Sequence, residues 1–330
     1  MAPSPLFMAW FDLGDALDKV TDVAKCQPSW TVARRMDGGT MERVKADAVR
    51  VEAAIRHHAR IAAAPPRLGA ALEHALFPGG ARARPRLAIA VARACGDDRP
   101  QVSDALAAAV EALHCASLVH DDLPCFDDAA LRRGRPSVHA AHGEALAVLA
   151  GDGLIVMAFQ ALSDVAVAAG DRLGALLSIV AESAGVPHGL VAGQAMESEM
   201  DAALSSYHAA KTGALFEAAA AGGAAASGGP IAPWQRVGAK LGSAYQIADD
   251  IHDRVGEDGA LGKPTGQDAA NARPNAVDAA GLQGAVATLR ATIEESAAAV
   301  PDGPMAAEIQ TFIRAQADRF VPAALKVEAA

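Results

Sequence analysis

The chain has 330 residues, 52% of them hydrophobic and 4% aromatic, and its formal net charge at pH 7 is −10. Nucleic-acid binding needs clustered Lys and Arg, whereas the arginines here stand beside aspartates, so no nucleic-acid partner is expected. The 4 cysteines lack Cys-x-x-Cys or Cys/His spacing. They indicate neither a disulfide framework nor a zinc site, and they favour a reduced, cytoplasmic location.

The N-terminal segment differs from the rest of the chain. Residues 1–40 hold two of the 3 tryptophans and lack the basic start of a signal peptide. A clear amphipathic pattern begins at Met41. We therefore expect a poorly ordered extension or mis-assigned start over 1–40, and one folded domain over 41–330. No membrane span is expected, because glycines and prolines interrupt the longest uncharged run, 218–235.

The apolar pattern after Met41 is helical, and alanine adds helix propensity. Helices are predicted over 41–63, 67–77, 84–95, 102–122, 141–168, 171–184, 188–203, 206–227, 234–254, 281–299 and 304–325. No strands are expected, because runs of β-branched and aromatic residues with period two are missing. The sequence predicts an all-α fold, a single large helical bundle.

The first acidic stretch is 120–136, HDDLPCFDDAALRRGRP. Asp121 and Asp122 fall at a predicted helix C-terminus, where the helix dipole and their mutual repulsion disfavour carboxylates. Such a cluster needs cations. Asp121 and Asp127 would lie about 240° apart on an ideal helix, so the backbone must bulge near Pro124 if their carboxylates are to converge.

The second acidic stretch is YQIADDIHD, in which Asp249, Asp250 and Asp253 stand at i, i+1 and i+4. This spacing places the three carboxylates broadly on one helix face. Oxygen-only ligands select hard cations such as Mg²⁺. A solvated acidic face is the alternative interpretation, and it is weakened by the apolar neighbours and by the occurrence of two such clusters.

These motifs and their order resemble the trans-isoprenyl diphosphate synthases. DDLPCFD before LRRGRP is similar to the family's first aspartate-rich motif, and QIADDIHD before LGKPTGQDAAN is similar to the second. KTG and GQAMESE lie between them. The resemblance covers about 77–277 and is strongest to the geranylgeranyl diphosphate synthases of phototrophic, carotenoid-making bacteria. It implies an isoprenoid-synthase bundle with a central cavity, usually a homodimer.

The resemblance also implies roles for particular residues. Ligation of Mg²⁺, as three ions when substrate is bound, is implied for Asp121, Asp122, Asp127, Asp249, Asp250 and Asp253. Binding of isopentenyl diphosphate is implied for Arg84, His114 and Arg133, and binding of the allylic diphosphate for Arg132, Lys211 and Lys263. Stabilisation of the transient allylic cation is implied for Thr212 and Gln246. For Gln194, a structural hydrogen bond and a role in the site are equally compatible with the sequence.

The chain departs from the family pattern at three places. Ala81 replaces a lysine that contacts isopentenyl diphosphate, and we expect the neighbouring Arg82 to substitute for it. Ala129 and Ala130 replace a usual acid, which we expect to leave Arg132 and Arg133 less firmly oriented. Gln267 replaces a common lysine in the loop after the second motif.

The implied reaction condenses isopentenyl diphosphate with an allylic diphosphate (dimethylallyl, geranyl or farnesyl) by metal-assisted ionisation. Ala112 and Ala116 form a small-residue stripe before Asp121, and in the family a bulky aromatic at position 116 stops growth at fifteen carbons. The resemblance thus implies geranylgeranyl diphosphate as product, although ordinary alanine packing explains the stripe equally well. A farnesyl diphosphate synthase, a non-catalytic regulatory subunit and a terpene cyclase are the alternatives.

Overall fold

The computed structural model of the protein describes residues 38–199, 203–255 and 275–320. Its α-helices are α1 Gly38–Ala59, α2 Pro66–Leu76, α3 Ala83–Ala94, α4 Pro100–Asp121, α5 Val138–His142, α6 Glu144–Asp164, α7 Ala166–Ala169, α8 Leu173–Ala184, α9 Leu190–Ala195, α10 Leu204–His208, α11 Ala214–Ala226, α12 Ile231–Val255, α13 Ala276–Ala298 and α14 Ala306–Phe320. Short 3₁₀ turns and one π-helix are found at Ile61–Ala63, Gly170–Arg172, Met196–Ser198 and Ala209–Gly213. The all-α prediction is confirmed.

One short hairpin contradicts the expectation of no strands. Strands β1, Leu131–Arg132, and β2, Arg135–Pro136, pair antiparallel. The two residues between them, Arg133 and Gly134, have φ of 53° and 72°, the left-handed backbone that a two-residue hairpin turn requires. Strands of two residues are too short to show a period-two pattern, so the sequence carried no strand signal.

Helix α4 runs through the centre of the bundle. Most of its side chains are buried, and it packs against α1, α3, α6 and α11. The small side chains of α4 and α11 let these helices approach closely: a Cβ added to Gly222 would lie 2.7 Å from a methyl carbon of Leu106. Ala116 and Val119 are also buried, so this close packing continues to the C-terminal end of α4, which carries the first acidic motif.

Helices α4 and α6 are long and apolar enough to cross a membrane by length and composition. The apolar window of α4 is 78% buried within the bundle and that of α6 is 44% buried. A core helix of a bundle has the same length and apolar composition as a membrane span. The burial of these windows therefore identifies α4 as a core helix and shows that α6 has an outward apolar face. The absence of a membrane span stays a prediction.

The domain boundary predicted at 40/41 falls inside α1, because this helix begins at Gly38. Residues 1–37 lie outside the described part of the chain, as do 256–274 and 321–330. The nature of the N-terminal extension therefore stays a prediction.

Candidate active site

The first acidic motif folds back on the end of α4. The Asp127 amide donates to the Asp121 carbonyl oxygen at 3.0 Å, and the Ala129 amide donates to the Asp122 carbonyl oxygen at 3.1 Å. Asp128, with φ of 46°, is in the left-handed region. The expected backbone bulge is confirmed, and it returns Asp127 to Asp121.

Three carboxylates meet at this point. One ligand oxygen each from Asp121, Asp127 and Glu197 lies within 4.8 Å of the others. Because all three are hard oxygen donors, the group fits a cation such as Mg²⁺. Glu197 was not predicted as a ligand. It lies in the segment GQAMESE, but only the fold brings its 3₁₀ turn, Met196–Ser198, to the end of α4.

Several donors surround Glu197. The Tyr207 hydroxyl donates to Glu197 Oε1 at 2.7 Å, and Gln194 Nε2 donates to Glu197 Oε2 at 2.9 Å. The Lys211 ammonium also donates to Glu197 Oε1, and its Nζ lies 3.3 Å from Asp121 Oδ1. Gln194 thus contacts the site through its hydrogen bond to Glu197. Lys211 supplies the positive charge that a group of carboxylates at a helix C-terminus needs.

Asp122 differs from its neighbour Asp121. Arg132 Nε donates to both Asp122 oxygens at 2.8 Å, and Arg132 Nη2 lies 2.6 Å from Asp122 Oδ1. Such a bidentate pair fixes the plane of the guanidinium. The expectation that Arg132 is less firmly oriented is therefore wrong. Asp122, although predicted as a metal ligand, supports Arg132 in this geometry.

The three aspartates of the second acidic motif also differ from one another in their exposure and partners. Asp249 is exposed and Asp253 is partly buried, whereas Asp250 is 1% exposed. Asp250 accepts from Gln246 Nε2 at 2.9 Å and from the Ala276 amide at 2.7 Å, at the N-terminus of α13. The predicted common face is thus not shared by all three, because Asp250 turns inward, where the positive end of the α13 dipole stabilises it.

Gln246 connects the two sides of the site. The Thr212 hydroxyl donates to Gln246 Oε1 at 2.6 Å, and Gln246 in turn donates to Asp250. Thr212 and Lys211 lie on the π-helix Ala209–Gly213, a widened turn often found at functional sites. The predicted residues Lys211, Thr212 and Gln246 are therefore brought together.

His208 lies one turn before Thr212, with its Nε2 3.9 Å from Asp250 Oδ2. Burial lowers the pKa of His208 to about 4. The imidazole is therefore neutral near pH 7 and adds no positive charge beside Asp250.

A second cationic group contains Arg84, His114 and Arg133. Arg84 Nη1 lies 3.4 Å from His114 Nε2, and the Arg84 guanidinium stacks 4.4 Å from the Phe216 ring centroid. Burial, followed by the charge of Arg84, lowers the His114 pKa well below 6.5. His114 is therefore a neutral imidazole beside the guanidinium groups of Arg84 and Arg133. Within the described ranges, neither Arg84 nor Arg133 has a carboxylate at ion-pair distance, so the group suits an anionic ligand.

Arg82 does not join this group. Its guanidinium donates to Glu52 at 2.7 Å, to Glu111 at 2.7 Å and to the Leu76 carbonyl oxygen at 2.6 Å, and the residue is 7% exposed. The expectation that Arg82 replaces the lysine absent at Ala81 is therefore corrected: its donors are committed to buried structural partners.

The remaining predicted residues have separate outcomes. Ala112 and Ala116 are buried in the core of the bundle, 0% and 2% exposed, and their role in product length stays a prediction. Lys263 and Gln267 lie outside the described residues.

Comparison with known proteins agrees with this arrangement. Residues 65–306 match the polyprenyl synthetase family. The chain is 50% identical over 260 residues to a geranylgeranyl diphosphate synthase of Cereibacter sphaeroides, covering 79% of this chain and 90% of that protein. It is 48% identical over 257 residues to the geranylgeranyl diphosphate synthase of Rhodobacter capsulatus, covering 78% and 89%.

A similar solved structure is a geranyltransferase from Helicobacter pylori, determined with magnesium and isoprenyl diphosphate. It superposes with a TM-score of 0.72 at 28% identity, covering 85% of this chain and 98% of that one.

Proposed function

Because the chain belongs to the polyprenyl synthetase family, we propose that it is a trans-prenyltransferase that condenses isopentenyl diphosphate with an allylic diphosphate and makes geranylgeranyl diphosphate. The carboxylate group Asp121, Asp127 and Glu197, next to Lys211 and Arg132, is the observation that carries this proposal. It combines metal ligands with phosphate-binding cations, as the ionisation of a diphosphate ester requires.

We propose Mg²⁺ as the cofactor, in three ions when substrate is bound, with Asp249 and Asp253 completing the ligand set from α12. The hard oxygen donors support the choice of cation. A divalent cation held by these carboxylates would neutralise charge on the leaving diphosphate.

The protein side chains then have separate tasks. Arg132 and Lys211, with Lys263, hold the allylic diphosphate while its C1–O bond breaks. The oxygens of Thr212 and Gln246 face the resulting allylic cation and stabilise its charge. The double bond of isopentenyl diphosphate attacks that carbon, and the departed diphosphate takes the proton released from the adduct.

The isopentenyl diphosphate occupies the second cationic group. Arg84 and Arg133 suit its phosphate oxygens, since guanidinium groups bind such oxygens bidentately. His114 donates or accepts a hydrogen bond as a neutral imidazole. Two cationic groups of distinct composition support two separate diphosphate sites.

The twenty-carbon product is proposed from the two phototroph relatives and from the small side chains of Ala112 and Ala116 on α4. Dimethylallyl, geranyl and farnesyl diphosphate are all candidate primers, and a farnesyl diphosphate synthase is the alternative. A non-catalytic regulatory subunit is the other alternative, and the retained aspartates weigh against it.

We also propose a cytoplasmic homodimer. Helix α6 supports the dimer, because Val148, Leu149 and Val156 on its outward face are 41%, 53% and 53% exposed. These residues share one face, and such an apolar stripe is typical of an interface between chains.

A primer series tests the proposal. Purified protein is incubated with isopentenyl diphosphate, Mg²⁺ and each allylic primer in turn, and product length is measured. Elongation to twenty carbons supports the proposal. A product that stops at fifteen carbons favours farnesyl diphosphate synthase, and no elongation from any primer favours a regulatory subunit.

A further inference from the structure

We infer that Tyr207 and Gln194 are positioning residues that hold the Glu197 carboxylate in the metal-binding group, and that this pair sets the affinity of the group for a divalent cation. The inference deepens the proposed function and rests on it. Tyr207 donates to one Glu197 oxygen and Gln194 donates to the other, at 2.7 and 2.9 Å.

Glu197 needs such support because of where it lies. Asp121 and Asp127 are held together by the hydrogen bond from the Asp127 amide to the Asp121 carbonyl oxygen. Glu197 instead projects from a three-residue 3₁₀ turn, and the chain leaves that turn extended at Glu199. A glutamate also has one more rotatable bond than an aspartate, so its carboxylate loses more freedom when it is ordered. Two hydrogen bonds to its two oxygens remove that freedom.

The charge of the donors matters as well. Lys211 contacts the same oxygen as Tyr207, but an ammonium group cancels the negative charge that a metal ligand needs. The phenol and the amide are neutral, so they orient Glu197 without reducing its charge. They also keep it oriented when Lys211 turns to a diphosphate.

Tyr207 is itself well fixed. It is 9% exposed, its amide donates to the Ala203 carbonyl oxygen at 3.0 Å, and its ring packs 5.5 Å from the His208 ring. A buried phenol commonly needs a hydrogen-bond partner. Its hydroxyl is therefore committed to Glu197, and supporting groups of this kind commonly change metal affinity about 10- to 100-fold.

The test is Tyr207→Phe, which removes only the hydroxyl, with Gln194→Leu as a second variant that loses the other donor. Mn²⁺, a hard cation of the same class as Mg²⁺, is titrated by electron paramagnetic resonance with a thio analogue of farnesyl diphosphate that ionises poorly. We expect the Mn²⁺ Kd of either variant to rise about tenfold, with an unchanged KM for isopentenyl diphosphate.

Ser296→Ala is the matched control, since it also removes a buried hydroxyl that joins two helices, by its bond to the Val237 carbonyl oxygen. It should bind Mn²⁺ as the wild type does. Folded variants that bind Mn²⁺ as tightly as the wild type overturn the inference. A wild type that binds Mn²⁺ but elongates no primer overturns the proposed function instead, so the two failures are distinguishable.

Discussion

Asp121 and Asp122 are adjacent in the sequence, yet the main partners of their carboxylates differ. Asp121 joins Asp127 and Glu197 and lies 3.5 Å from Arg132 Nη2, whereas Asp122 accepts the shorter bidentate bond from Arg132 at 2.8 Å. The difference arises because Asp121 is the last residue of α4 and Asp122 caps it, so their side chains leave the helix in different directions. Neighbouring acids in one motif thus divide into one that we propose as a metal ligand and one that supports an arginine that we propose binds phosphate.

This division predicts different kinetic defects. Glu197→Gln should raise the Mg²⁺ concentration for half-maximal turnover at least about tenfold, because one ligand charge is lost. Asp122→Asn should instead raise the KM for the allylic diphosphate about tenfold, the cost of weakening one charge-assisted bond to Arg132. Steady-state kinetics at varied Mg²⁺ and varied primer separate the two. Identical defects in both variants would contradict the assignment.

At the scale of the element, α4 combines two functions. Its C-terminal end presents the acidic motif, and its small side chains let neighbouring helices approach. Ala116 lies on this helix before Asp121, on the side where we propose that the product chain grows. A larger side chain at this position should therefore limit the product.

We expect Ala116→Tyr to shift the product from twenty toward fifteen carbons, measured by chromatography of the dephosphorylated prenols. Ala107→Tyr is the control, because it enlarges a buried alanine of the same helix about 180° away. Overpacking a core by single methylenes already costs about 1–3 kcal/mol, and a phenol ring is larger, so thermal unfolding is measured for both. Unchanged product length in a folded Ala116→Tyr variant would place the pocket floor elsewhere.

The elements also show what could be predicted from sequence. Most helices followed from apolar periodicity, and the bulge after Pro124 followed from the spacing of Asp121 and Asp127. The helix predicted over 188–203 is wrong beyond Ala195, where a 3₁₀ turn follows and Glu199 is extended. Glu197 and the burial of Arg82 did not follow, because each depends on contacts between residues far apart in the chain. Glu197 meets the end of α4 only in the folded bundle, and the partners of Arg82 come from α1 and α4.

At the scale of the whole molecule, α6 leaves three large apolar side chains exposed, Val148, Leu149 and Val156, more than any other helix in the described part of the chain. Val156→Glu should therefore convert the proposed homodimer toward monomer, because a charge would enter an apolar interface. Sedimentation velocity measures this shift. Val167→Glu makes the same change at a valine that is 99% exposed on α7, and it should leave the dimer intact. A Val156→Glu dimer as stable as the wild type would exclude the α6 face.

We propose that the carboxylate group and its cations together perform metal-dependent prenyl transfer. Its most direct measurement is the chain length of the product from isopentenyl diphosphate and farnesyl diphosphate, with Mg²⁺ and after chelation of divalent ions. We predict a twenty-carbon product that forms only with Mg²⁺. No prenyl product in the presence of Mg²⁺, or equal elongation after chelation, would contradict the claim.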